Sequence, residues 1–235
     1  MSYKNMVIIQ ARMGSKRFPG KSMKTIGDEP LINHVVRRAL AINDINKVVV
    51  ATTRQEEDNV LASHVEAKFG VQVYRGDSED VRSRFIDVIN EYHPENVIRL
   101  TADDPFKDPK LAEDALGTLI TEDLDYVSNF ALPTLPIGLD VEAFRSGALI
   151  DSLTDFKSQE DIEHVTPALR NSGNYRTKSL VYEGIFSDFR LTIDFPEDLE
   201  KCRTIYELLR VASPDNFDYK TTCKVIKSVI EMGEI

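Results

Sequence analysis

The chain contains no tryptophan and only two cysteines, and no stretch of it approaches the roughly 18 consecutive apolar residues that a membrane-spanning helix needs. Cys202 and Cys223 lie 21 residues apart in helical-looking stretches. They have neither metal-ligand spacing nor the density of a disulfide framework, which predicts a reducing, cytoplasmic setting. The opening MSYKNMVIIQAR has an apolar run too short for a secretion signal and no cleavage site, so no membrane partner is expected. Basic charge is outweighed, 29 Lys and Arg against 39 Asp and Glu. A net charge of −10 excludes a general nucleic-acid binder, which needs a basic footprint.

What is present is an ordinary globular balance, 42% hydrophobic and 29% charged over 235 residues, enough for one large α/β domain. The cations are unevenly placed. Residues 1–27 hold Lys4, Arg12, Lys16, Arg17, Lys21 and Lys24 and no acid. A cationic loop on an acidic body focuses anions locally; a merely solvated basic loop is the competing reading.

Short apolar runs alternate with helical spacing. Met6–Gln10, Lys47–Thr52, Val71–Tyr74, Asn96–Thr101 and Asp125–Ser128 read as buried strands. Pro30–Leu40, Glu56–Phe69, Asp80–Tyr92 and Pro109–Ile120 read as helices between them. This order predicts a mostly parallel, Rossmann-like α/β sheet with helices on both faces. The pattern changes after Asn129. Leu132–Gly138 is Pro-rich, Leu139–Phe144 and Tyr175–Val181 suggest strands, and Glu160–Asn171, Pro196–Val211 and Tyr219–Met232 suggest helices. The whole, 1–235, reads as one domain in which 129–188 form a small mixed lobe for substrate or dimer contacts.

The loop after the first strand, QARMGSKRFPGKSM, sits where open parallel sheets bind ligands. It is not a dinucleotide fingerprint, which needs G-x-G-x-x-G. Nor is it a Walker loop. Five residues rather than four separate Gly14 from Gly20, and Pro19 removes a backbone N–H from a loop type that works through such groups. What remains is a loop bent by Gly and Pro and carrying Arg12, Lys16, Arg17 and Lys21, chemistry suited to a triphosphate.

Gln10–Lys21, QARMGSKRFPGK, resembles the N-terminal signature of the cytidylyltransferases that activate acidic sugars, and most nearly the spore-coat polysaccharide branch. VVVATT at Val48–Thr53, VYRGDSEDVRSRF at Val73–Phe85, RLTADDPFKDP at Arg99–Pro109, GLDVEAF at Gly138–Phe144, EHVTP at Glu163–Pro167 and RLTIDFPEDLE at Arg190–Glu200 follow in the family's order. The resemblance implies a nucleotide-diphospho-sugar transferase type of fold. It also implies a homodimer, CTP and a small acidic sugar as substrates, and Mg2+ as cofactor. Gln10, Ala11, Arg12, Gly14, Ser15, Lys21, Thr52 and Asp103 would face the nucleotide, with Arg12 and Lys21 catalytic. Asp103 and Asp194 would hold the metal, a set of hard oxygen ligands that magnesium favours. Asp140, Glu142 and His164 would face the sugar.

Other readings stand beside these. Asp194, at the end of an expected strand Arg190–Ile193, also suits a helix N-cap ahead of Pro196. Asp140 and Glu142 alternate along an expected strand and could form a plain polar face. His164 could be a surface histidine; His34, His64 and His93 have no motif around them. The family pattern has Gly before its Asp, followed by Cys or Glu; here Ala102-Asp103-Asp104 stands instead, and the extra acid would recruit a second ion or face water. At the level of function, a different sugar, phosphate or phosphonate acceptor, a glycosyltransferase and a non-catalytic scaffold are the alternatives.

Overall fold

The computed structural model describes residues 3–129, 134–154, 158–183, 188–213 and 217–233. Residues 132 and 133 of the Pro-rich stretch lie outside the described residues. In chain order the strands are β1 (Asn5–Gln10), β2 (Thr25–Ile26), β3 (Glu29–Pro30), β4 (Lys47–Thr53), β5 (Gln72–Gly76), β6 (Asn96–Thr101), β7 (Tyr126–Ser128), β8 (Glu142–Arg145) and β9 (Thr177–Ser179). The helices are α1 (Leu31–Leu40), α2 (Asn59–Phe69), α3 (Val81–Tyr92), α4 (Pro109–Thr121), α5 (Ser146–Asp151), α6 (Gln159–His164), α7 (Pro167–Asn171), α8 (Pro196–Ala212) and α9 (Tyr219–Met232).

Seven strands form one sheet in the order β5-β4-β1-β6-β8-β7-β9, and β2 pairs with β3 in a separate hairpin. Only β8 runs against its neighbours, pairing antiparallel with both β6 and β7. Strands of the 129–188 stretch therefore extend the main sheet.

The layering follows from strand alternation. Met6, Val7, Ile8 and Ile9 of β1 are all fully buried, but Val7 and Ile9 join one apolar cluster while Met6 and Ile8 join another. Successive side chains point to opposite faces, so each face needs its own cover. Residues of α1, α2, α4, α8 and α9 fill the first cluster; α3, α5 and α7 supply the second. Each buried aliphatic side chain of β1 contributes about 1.5–3 kcal/mol relative to exposure.

Because β1, β4, β5 and β6 are mutually parallel, their carboxyl ends at Gln10, Thr53, Gly76 and Thr101 share one edge of the sheet. The loops that leave this edge build the site.

Candidate active site

The loop leaving β1 is anchored from beneath. Asp58, fully buried, accepts from Met13 N at 2.6 Å, from Thr53 N at 3.1 Å and from the Thr53 hydroxyl, fixing the loop to the end of β4. Met13 O then accepts from Ser15 N at 2.9 Å and Gly20 N at 2.8 Å, so the chain doubles back. Gly20 sits at φ 73°, a conformation that costs a side-chain-bearing residue roughly 1–2 kcal/mol. Ser22 Oγ closes the turn on Arg12 O at 3.0 Å. The result places Gln10, Ala11, Arg12, Ser15, Lys16, Arg17 and Lys21 on the wall of a cleft of about 820 Å³.

Asp103 lies two residues past β6 and Asp194 two residues before α8, and the backbone brings them together. Ile193 N donates to Asp103 O at 3.0 Å, and Leu191 N to Ile137 O at 2.7 Å. Gly138, at φ 105°, lets this segment approach; a Cβ there would lie 3.0 Å from Thr192 N. The expected strand over Arg190–Ile193 is reduced, among the described residues, to a single bridge, Ile137 to Arg190. Lys21 Nζ stands between the two acids, 2.8 Å from Asp103 Oδ2 and 3.2 Å from Asp194 Oδ1, and donates to Ile193 O at 2.7 Å. Arg17 and Arg190 reach Asp194 at 2.8 and 2.9 Å. Burial works to raise the Asp103 pKa, but the Lys21 ammonium outweighs it and holds the carboxyl below its ordinary value.

The helix-cap reading of Asp194 is corrected. The N-cap position of α8 is Phe195, and Asp198 Oδ2 accepts from both Asp194 N and Phe195 N at 3.0 Å. The Asp194 side chain faces cations instead. Asp104 also departs from expectation. It does not face open water, being 4% exposed, 2.8 Å from Lys107 Nζ, and the acceptor of hydrogen bonds from the Thr101 and Thr192 hydroxyls. Burial opposes charge on Lys107, but Asp104 and Asp140 more than compensate and keep it an ammonium.

A second cavity of about 440 Å³ adjoins the first, sharing Arg99, Thr101, Asp140 and His164 with it. Asp140 precedes β8 rather than belonging to it, yet Asp140 and Glu142 both line this cavity. Glu142 is buried and turned inward. Its carboxylate takes Arg99, the Tyr126 hydroxyl at 2.8 Å and the Thr166 hydroxyl. The expected single helix over Glu160–Asn171 is broken into α6 and α7. Pro167 disfavours helical geometry in the residue before it, and buried Val165 adopts φ 70°. For a β-branched residue that geometry costs about 1–3 kcal/mol. The break leaves His164 exposed at the end of α6, on the cavity wall, and turns Thr166 toward Glu142.

Two expected nucleotide contacts do not reach the cleft. Thr52 is fully buried, with a hydroxyl that has no partner among the described residues, because its place in β4 points it into the protein. Gly14 faces Glu57, whose carboxylate oxygen lies 2.4 Å from where a Cβ would stand. Conversely, Arg99, Lys107 and Arg84 line the cavities without having been singled out. A charged residue inside an apolar strand, Arg99 in NVIRLT, was the available signal.

A family model described as cytidylyltransferase matches residues 6–219. The chain belongs to the cytidylyltransferase family. It is 37% identical over 212 residues to the spore coat polysaccharide biosynthesis protein SpsF of Bacillus subtilis, covering 86% of each chain. A 3-deoxy-manno-octulosonate cytidylyltransferase of Anaeromyxobacter dehalogenans is 33% identical over 115 residues, 48% of this chain and 46% of that one. Among solved structures, a cytidylyltransferase from Leptospira borgpetersenii superposes with a TM-score of 0.87 at 25% identity, over 99% of this chain and 96% of that one. As a cytidylyltransferase, the protein is a CTP-dependent nucleotidyltransferase.

Proposed function

We propose that the enzyme couples CTP to a sugar acid of the nonulosonate or Kdo type, releasing pyrophosphate and giving a CMP-sugar for surface polysaccharide. The carrying observation is the pair Asp103 and Asp194 converging on one ammonium, beside the Arg12 loop and open to a second cavity. Two carboxylates within 3.2 Å of a single cationic atom form a cation position, and Lys21 Nζ stands in for the ion. Among the described residues no larger acidic or His/Cys set gathers, and one or two carboxylates are what magnesium ordinarily takes from a protein. Asp103 and Asp194 would hold Mg2+, which when bound supplies charge neutralisation and polarisation at phosphate oxygens.

The chain's own residues do the rest. Lys21 turns from the carboxylates to phosphate oxygens, and with Arg12 it balances the charge that builds as the α-phosphorus is attacked and pyrophosphate leaves. Asp140 and His164, on the wall shared by both cavities, orient the attacking sugar hydroxyl. Glu142 keeps Arg99 in place beside Gln10, whose Oε1 accepts from Arg99 Nε at 3.1 Å. The reading includes a homodimer, expected from the resemblance, and a cytoplasmic setting, expected from the scarcity of cysteine.

Pyrophosphate release, measured with each nucleoside triphosphate against a panel of sugar acids, tests it. CTP with one acid should support turnover, and Asp103→Asn and Lys21→Ala should each lower kcat by about 10²–10³-fold. Unchanged turnover in both variants would sink the mechanism. CTP binding without turnover on any sugar acid would point to another acceptor or to a non-catalytic relative.

A further inference from the structure

Arg84 is the largest of the fully buried side chains, with 2% of the residue exposed, yet it lines the larger cavity. Among the described residues its Nε has no hydrogen-bond partner, and NH1 donates at 2.9 Å to a carbonyl, Asp77 O. Arg12 does the same one residue along, donating to Ser78 O at 3.2 Å. Two guanidiniums are thus clamped side by side on consecutive carbonyls of the turn between β5 and α3. Asp58, Asp77 and Asp80 act on Arg84 from nearby, but among the described residues neither arginine forms an ion pair. Burial, then the charge of Arg12, push the Arg84 pKa down to about 10 against the pull of Asp58, Asp77 and Asp80. Gly76 makes room for it, since a Cβ there would lie 2.7 Å from Arg84 Cγ.

A buried charge is ordinarily paired. Carbonyl acceptors fix the orientation of a guanidinium without bringing a carboxylate into contact with it, and a planar fork suits phosphoryl oxygens. We propose that Arg84 is a second phosphate-binding arginine, which with Arg12 forms a two-guanidinium seat for phosphoryl oxygens of the nucleotide. The proposal rests on the CTP-dependent reading of the cleft and adds a residue to it.

Calorimetry with inorganic pyrophosphate and with CMP, on the wild type, Arg84→Lys and Arg84→Met, tests the seat and shows which phosphates occupy it. Weakening of tenfold or more for pyrophosphate assigns Arg84 to the distal phosphates; the same loss for CMP assigns it to the α-phosphate. Arg84→Lys, keeping charge but losing the fork, should fall between wild type and Arg84→Met. Melting curves without ligand check that the variants fold. If neither does, the side-chain Nε–H signal of Arg84 in the wild-type NMR spectrum carries the test, and it should shift on adding either ligand. Affinities within twofold of wild type for both ligands, or an unmoved Nε–H signal at saturation, would overturn the proposal and leave the CTP reading standing. A wild type that binds neither CTP nor pyrophosphate would overturn both.

Discussion

The two halves of the cleft differ in how completely their cations are matched. On the side proposed for the triphosphate, Lys21 and Arg17 are paired with Asp103 and Asp194, but Arg12 and Arg84 lean on backbone carbonyls. On the acceptor side, Arg99 faces Glu142, Lys107 faces Asp104 at 2.8 Å, and Arg170 faces Glu160 at 3.5 Å. One half keeps a field for an anion to enter. The other has already matched its charges and offers shape and a few fixed polar groups. Affinity for the nucleotide should therefore be electrostatic, and acceptor choice should be geometric.

The largest test of this contrast removes a matched cation. Lys107→Met leaves the buried Asp104 carboxylate without its ion pair, and breaking a buried pair from one side costs about 3–5 kcal/mol. Urea unfolding should show a loss of that size, whereas Arg17→Ala, at a pair whose arginine side chain is 58% exposed, should stay within ~1 kcal/mol. Equal losses would erase the distinction between a self-matched interior and a cleft that waits for its ligand.

The next effect is on specificity. Glu142→Gln keeps the shape but loosens Arg99, so the KM for the acceptor should rise about tenfold, the scale of one charge-assisted hydrogen bond. The Kd for CTP should hold within twofold. A matching loss of CTP affinity would mean that Arg99 serves the nucleotide side. Salt gives a smaller separation. Raising ionic strength from 0.05 to 0.5 M should weaken CTP binding about tenfold and change the acceptor KM by less than about threefold, since Arg12 and Arg84 form no ion pair among the described residues of the cleft.

The sequence was most legible where one local rule decided the outcome. Strands β1, β4 and β6 were readable because apolar runs of that length must be buried on both faces, and Met6–Ile9 are. The basic loop was readable from composition. The parts that were not legible depend on distant segments. Nothing in RLTIDFPEDLE says that Asp198, rather than Asp194, serves the helix end; that follows from Ile193 docking on Asp103. Thr52 carried a motif residue's address, yet the register of β4 turned its hydroxyl inward. Arg84 lies inside VYRGDSEDVRSRF without a local signal, because an arginine on a helix reads as a solvated residue until its burial is seen.

The smallest effect follows from the same Glu142. Burial works to raise its pKa, but Arg99 and the hydroxyls of Thr166 and Tyr126 together hold it below the ordinary value of 4.5. A carboxylate more acidic in the folded than in the unfolded state contributes stability that is complete above the unfolded pKa. It is lost as pH falls through the folded pKa. The wild type should lose stability from about pH 5 downward, and Glu142→Gln, with no proton to take up at that position, should lose less over the same window. Urea midpoints at intervals between pH 7 and pH 3 measure the difference. Parallel curves would show that the Arg99–Glu142 pair is no tighter than a surface bridge, and the acceptor half would then be no better matched than the triphosphate half.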